Sequence, residues 1–332
     1  MTNVVLKAGS RHYSDWLSIR VERRLDALSG AFTLTSPDLD GVGALRCGEP
    51  VVLTVGTDTL ITGHVEAIRK NIDASGASVE LHGRDKTGDL VDASADIKAD
   101  EFSHQTLHQI ALKLCKRFNL SVLDMVKDAT PFELLKVSPG ETAFTTLDRA
   151  ARRRGVILSG DVLGNVVISK IGAAGHAGSL THGTNIITLS QTSDQSQRHS
   201  EYILKSQNDE DYTVEARAVD LGVKRYRPLV TVEQSGVTKG DAQKQVDWER
   251  AIRRGRSLRV SVVTQGWSSP VGHLWEVNAT ARVMSDRLKL DAMLLIVGVE
   301  FSFDENGTTA AIELLPEDAF SPKPDMQKET DW

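Results

Sequence analysis

The sequence predicts a mainly β protein with an α/β insert: two similar antiparallel β-barrel domains, with smaller α/β and helical insertions. Three observations point there. Apolar and polar residues alternate in the first and last parts of the chain, the period of a strand with one buried face. Between them the apolar period lengthens to that of a helix. A strand–turn–strand pattern also recurs in both β regions.

The elements follow in order. Leu17, Ile19 and Val21 alternate with Ser18, Arg20 and Glu22, and after Ser29-Gly30 the alternation resumes with Phe32 and Leu34. Residues 51–55, 60–72 and 77–82 read as further strands between Gly56-Thr-Asp58 and Ser75-Gly76 turns. Close turns between short strands suit a small barrel or sandwich over residues 1–92.

In residues 93–180 the pattern changes to α/β. Leu107, Ile110, Ala111, Leu114 and Phe118 form one helical face, with Ser103 as its expected N-cap. A second helix over residues 143–154 is expected to stop at Gly155, and residues 156–158 and 166–168 read as a hairpin around Gly160 to Gly164. The glycine-rich stretch from Gly172 to Gly183 reads as a linker.

Residues 181–320 return to strands at 202–205, 212–218 (starting at Tyr212), 229–233, 258–264, 275–283, 294–303 and 309–315. A helical insertion at about 238–257 has Asp241 as its expected cap and Trp248, Ala251, Ile252 and Gly255 on one face. The polar stretch from Pro316 reads as a tail, assigned as a separate segment over 321–332.

The repeat matches Leu60-Ile-Thr-Gly63-His-Val-Glu66 to Leu295-Ile-Val-Gly298-Val-Glu300. Each segment leads to an Asp-x-x-Gly turn, at Asp73 and Asp304, and then to Val79-Glu80-Leu81 or Ile312-Glu313-Leu314. Such an echo suggests a duplicated unit.

Composition narrows the function. The 332 residues are 40% apolar and 25% charged, which is ordinary for a globular chain, and no apolar run is long enough to span a membrane. The formal net charge of −6 disfavours a dedicated nucleic-acid binder, and no helix-turn-helix pattern is visible. Cys47 and Cys115 stand alone, so reduced thiols are expected. The start of the chain lacks the basic and apolar regions of a signal peptide.

The most motif-like run is Gly83-Arg-Asp-Lys-Thr-Gly-Asp-Leu-Val-Asp92. Its Asp-Lys-Thr-Gly is shared with the phosphorylated segment of P-type cation pumps, which would make Asp85 a nucleophile. That segment needs Thr at the fifth position, where this chain has Asp89, whose charge would repel an incoming phosphoryl group. A structural reading remains: Gly83 ends a strand, Arg84 and Asp85 pair locally, Thr87 and Asp89 shape a turn, and Leu90 and Asp92 carry the chain onward.

Elsewhere, His104 and His108 have the spacing of zinc ligands on a helix, but Gln105 occupies the place of a metalloprotease glutamate. The basic runs Arg149, Arg152, Arg153, Arg154 and Arg250, Arg253, Arg254, Arg256 fit solvated helix faces, or contact with phosphates or an acidic partner subunit. No catalytic, cofactor-binding or metal site is expected, and no cofactor.

Several segments together resemble the baseplate hub proteins of Mu-like contractile-tailed phages and prophages, related in fold to the T-even phage hub and to the N-terminal part of type VI secretion spikes. They are Trp16 to Arg23 with Phe32-Thr-Leu34, Gly63-His-Val-Glu66 and, most specifically, Gly83 to Ser94. Ala151 to Leu158 with Asp161 to Gly164, Trp248-Glu-Arg250, Gly266-Trp267 and residues 294–303 complete the set. On that resemblance Gly83, Arg84, Asp85, Thr87, Asp89, Leu90 and Asp92 form a structural family signature. It implies a non-enzymatic homotrimer whose two barrels per subunit make a pseudo-sixfold ring. Implied partners are tail-tube and tail-end proteins, the central spike and other baseplate proteins, with DNA only as passing cargo and no membrane insertion. The implied location is the virion tail baseplate, after assembly in the host cytoplasm. A tail-associated cell-wall-degrading enzyme, or a contractile bacteriocin or type VI-like spike component, is the alternative.

Overall fold

The computed structural model describes residues 4–37, 39–74, 76–97, 101–207, 213–233, 238–321 and 323. The chain is mainly β. The first β region contains β1 (Val4–Ala8), β2 (Arg11–Tyr13), β3 (Ser18–Arg24), β4 (Ala31–Ser36), α1 (Leu39–Val42), β5 (Pro50–Val55), β6 (Asp58–Asp73) and β7 (Gly76–Asp85), followed by α2 (Gly88–Asp92). Ile19, Val21, Phe32 and Leu34 are buried, as the alternation predicts. Leu17 is not part of that face; it precedes β3 and is 53% exposed.

The insert holds β8 (Glu101–Gln105), α3 (Leu107–Lys116), β9 (Val122–Asp124), β10 (Phe132–Lys136), α4 (Ala143–Arg153), β11 (Ile157–Gly160) and β12 (Val166–Ser169). It has its own core, in which Leu90, Ile110, Leu114, Leu147 and Val166 are fully buried. The N-cap of α3 is Thr106 rather than Ser103: Thr106 and Gln109 form a reciprocal capping box. Ser103 is unavailable because it lies in β8, paired with Leu134. His104 therefore sits on a strand and His108 on a helix, so the two do not share a helical face.

The last region contains β13 (His176–Thr181), β14 (Thr188–Ser193), β15 (Glu201–Gln207), β16 (Thr213–Val219), β17 (Pro228–Glu233), α5 (Lys239–Arg256), β18 (Leu258–Gln265), β19 (Thr280–Ser285), β20 (Leu290–Asp304) and β21 (Gly307–Leu315). Half of the expected glycine linker is thus β13, held by parallel pairing with β19. The helix cap is Thr238, whose hydroxyl accepts from the Asp241 amide, rather than Asp241 itself. The strand expected from Trp275 begins only at Thr280. Tyr212 lies outside the described residues, as do 322 and 324–332 of the tail. Residues 317–320 are not loose tail: they form a 3-10 turn against α5, with Ala319 fully buried. The close approach requires Gly255, where a Cβ would lie 2.4 Å from the Ala319 nitrogen.

Strands of both β regions join one sheet, in the order β14-β18-β21-β20-β3-β4-β7-β6-β5-β1-β2, and share one core. The order repeats. Neighbours β3-β4-β7-β6-β5 are matched by β14-β18-β21-β20-β19, all antiparallel. Each long hairpin carries a bulge at the residue seven positions before the turn aspartate, Glu66 or Val297. Leu81 faces Ile68 in one hairpin as Ile312 faces Val299 in the other. Before the bulge, Val65 exchanges backbone bonds with Gly48 and Glu49, and Ile296 does so with Asn278 and Ala279. These equivalences correct the sequence match. Gly63 faces Asp85 whereas Gly298 faces Glu313, so the matched Leu-Ile-x-Gly segments occupy different places in the two hairpins.

Candidate functional site: the joint at residues 83–92

The Gly83 to Asp92 run lies where the first β region meets the insert. Gly83 does not end β7; it lies within it, paired with Phe32 on one side and Val65 on the other. A Cβ there would fall 2.3 Å from Phe32 Cζ and 2.2 Å from the His64 oxygen. Glycine is needed for the fit of the Phe32 ring, not to release the strand.

Arg84 and Asp85 do not pair with each other, because neighbours in a strand point to opposite faces. Arg84 faces out. Its Nε donates to Glu66 Oε1 at 2.7 Å, and its two terminal nitrogens to the Asp92 carboxylate. Beside this guanidinium the Asp92 carboxyl is held below the usual carboxylate range. With Asp92 60% exposed, solvent screens the pair, which clamps the bulge to the end of α2 more than it stabilises the fold.

Asp85 faces in and is almost wholly buried. Its Oδ2 accepts from the Gly30 amide at 2.6 Å; its Oδ1 accepts from the Thr87 amide at 2.8 Å, the Thr87 hydroxyl at 2.5 Å and the Ser29 hydroxyl at 3.1 Å. Burial pushes this carboxyl up from the usual range, opposed by those donors and by the charge of Arg23. Arg23 is also covered, which lowers its pKa, and it donates to the Gly160 carbonyl. Gly160 itself lies against Asp85: a Cβ there would be 3.2 Å from Oδ2 and 2.8 Å from the Leu28 oxygen.

Asp85 therefore ties the β3–β4 turn to the start of α2, while its neighbour Arg23 bonds the β11–β12 hairpin packed against it. Thr87, fully buried, is the N-cap residue of α2; Leu90 enters the insert core, and Asp89 stands exposed in the helix's first turn. Each polar atom of Asp85 is engaged by the fold, leaving no oxygen directed into a cleft. Sequence reading placed Asp85 and Thr87 at a transition but missed Arg23, Ser29, Gly30 and Gly160, which are remote in the chain. Their only local signal is the Ser29-Gly30 turn.

The other candidates are dispersed. His108 Nδ1 is 3.6 Å from Asp124, and among the described residues no three metal-ligating side chains cluster. Burial pushes the Cys115 thiol up to about 12, so it is inert packing, whereas Cys47 is exposed. Much of the arginine runs is engaged within the chain. Arg149 bonds Glu141, Arg152 pairs with Asp148 at 2.8 Å, Arg154 stacks 4.1 Å above the Phe132 ring, and Arg253 pairs with Glu249 at 2.6 Å.

Comparison with known proteins supplies the family. Residues 3–85 match the N-terminal domain of proteins like the Mu phage baseplate assembly protein GpP, 87–170 the second domain of gp44-like baseplate hub proteins, and 238–323 the fourth domain of GpP. The first two matches meet inside the joint. Baseplate hub protein gp44 of Escherichia phage Mu is 28% identical over 340 residues, covering 96% of this chain and 89% of that protein. The 43 kDa tail protein of prophage MuSo2 from Shewanella oneidensis superposes with a TM-score of 0.88 at 33% identity, covering 98% of this chain and all of the other. A type VI secretion component of E. coli, described as similar to the T4 tail proteins gp27 and gp5, shares the fold with a TM-score of 0.60 at 14% identity, covering 94% of this chain and 76% of that one. The chain belongs to the baseplate hub proteins of Mu-like phages, of the 43 kDa tail protein type.

Proposed function

We propose that this chain is the structural hub of a contractile-tail baseplate, a homotrimeric ring that joins the tail tube to the central spike and lets DNA pass during ejection. In this reading residues 1–92 and 181–320 supply two lobes per subunit, 93–180 an insert, and 321–332 a tail. Its role is mechanical rather than enzymatic, in the virion tail after assembly in the host cytoplasm. The supporting observation is the repeated strand order β3-β4-β7-β6-β5 and β14-β18-β21-β20-β19, with bulges at equivalent positions. Two like lobes per chain in a threefold ring present six like surfaces, which suits a trimeric spike on one side and a sixfold tube on the other.

The formal net charge of −6 fits a channel through which DNA passes without being held, since a lysine- and arginine-lined wall would retain phosphates. A channel map with a dense basic lining would count against this. Light scattering tests the assembly: a mass three times the 36.2 kDa chain is expected, and a monomer at all concentrations would overturn the ring. Peptidoglycan zymography tests the mechanical role, where a cleared band would restore the enzyme reading.

A further inference from the structure

The two lobes are equivalent, but one joint is made within the chain and its counterpart is not. Along residues 298–303, β20 pairs with β3, placing Gly298 opposite Arg24, Ser302 opposite Arg20 and Phe303 opposite Ile19. The equivalent half of β6 is residues 67–72, taking Glu66 and Val297 as the same bulge. There β6 pairs with β7 on one edge only, because β5 stops where Pro50 faces His64. The equivalent of β3 is β14, since Ile19 faces Leu34 as Leu189 faces Val262, and both partners then face the matching leucine or isoleucine of the hairpin. Among the described residues β14 is the end strand of the sheet, paired with β18 alone, and residues 190–193 are exposed.

Side chains fit the empty place. Phe303 packs against the shared core beneath β3. Its equivalent, Ile72, is 79% exposed at the free edge of β6. Arg69 and Lys70 are charges of the kind that guard an open edge, but an exposed isoleucine beside them is what a guarded edge avoids. Ile68 and Leu189 already lean on the same core, so pairing in the β20–β3 register would place Ile72 over Leu189 and extend it.

We propose that residues 67–72 of β6 pair antiparallel with residues 189–194, β14 from Leu189 onward and the residue that follows it, of a second copy of the chain, Asn71 opposite Ser190 and Ile72 opposite Leu189. This rests on the ring reading and specifies its contact. The joint is head-to-tail, so three copies close with three joints inside chains and three between them, all alike.

Cysteine cross-linking tests the register. Asn71→Cys and Ser190→Cys are introduced together in a Cys47→Ser background, which removes the other exposed thiol. Directly opposed cysteines are within disulfide reach, whereas a displacement by two residues takes them beyond it. Oxidation should give covalent dimers and trimers on a non-reducing gel. The yield should be at least ten times that of the Asn71→Cys, Thr188→Cys pair. Ile72→Asp, at a site exposed in the free protomer, should raise the dissociation constant of the trimer at least tenfold while the circular dichroism is unchanged. A trimer by light scattering with no preference for the 71–190 pair, or one indifferent to Ile72→Asp, overturns the joint and leaves the ring standing. A chain that is monomeric throughout overturns both.

Discussion

Replacing Asp85 by asparagine keeps the shape of the side chain and exchanges one acceptor oxygen for a donor NH2. In the native fold Oδ2 takes the Gly30 amide, and Oδ1 takes the Thr87 amide together with two hydroxyls. The hydroxyls have second acceptors in reach, Leu28 O for Thr87 and Gly30 O for Ser29. Among the described residues, the Gly30 and Thr87 amides have no acceptor besides Asp85. Whichever way the amide is turned, one buried N–H then faces another donor. An orphaned buried donor costs about 1–3 kcal/mol, which sets the expected loss for Asp85→Asn. Asp85→Ala orphans both amides and strips the nearby Arg23 of a compensating charge, so about 3–5 kcal/mol is expected. Urea unfolding followed by circular dichroism measures both. An asparagine variant within about 0.5 kcal/mol of wild type, the ordinary scatter of a surface change, would refute the joint's role. So would loss of a phosphohydrolase activity in Asp85→Asn with folding and assembly intact.

Other outcomes follow from the same geometry. Gly83→Ala should destabilise by at least about 1–3 kcal/mol in the same urea assay, because its Cβ meets Phe32 Cζ at 2.3 Å and a backbone oxygen at 2.2 Å. Thr106→Ala removes the capping box of α3 and should cost about 1 kcal/mol, whereas Ser103→Ala should leave that helix's stability unchanged. The Arg198 guanidinium, bonded at 2.6 Å and 2.9 Å, holds the buried Asp220 carboxyl below its usual range. A depressed carboxyl stabilises the fold above its unfolded pKa of about 4 and loses that contribution as pH falls through the folded value. Arg198→Gln should therefore weaken the protein at neutral pH and flatten the fall of its melting temperature below about pH 4; an unchanged acid slope would contradict this.

Much of the fold was legible in the sequence wherever one buried face imposes a period. Ile19, Val21, Phe32 and Leu34 announce β3 and β4, and Leu107, Ile110, Ala111 and Leu114 announce α3. The misses share a cause: the deciding contact is distant in sequence. Ser103 looks like a cap until its pairing with Leu134 is known, and His176 to Thr181 looks like linker until β19 lies beside it. The run Ser190 to Ser193 has no apolar alternation to announce a strand, since much of β14 faces solvent in the single chain. The repeat was visible but out of register, because a bulge shifts pairing without leaving a letter in the sequence. At the joint, Asp85 and Thr87 lie two positions apart and are readable, while Arg23 and Gly160 meet them only through the fold.

The most direct measurement is class averaging of the purified chain by negative-stain electron microscopy, viewed down the ring axis. Closed rings of three protomers with six similar lobes around an open channel are expected. Isolated single-chain particles, or open filaments of head-to-tail copies, would contradict the hub.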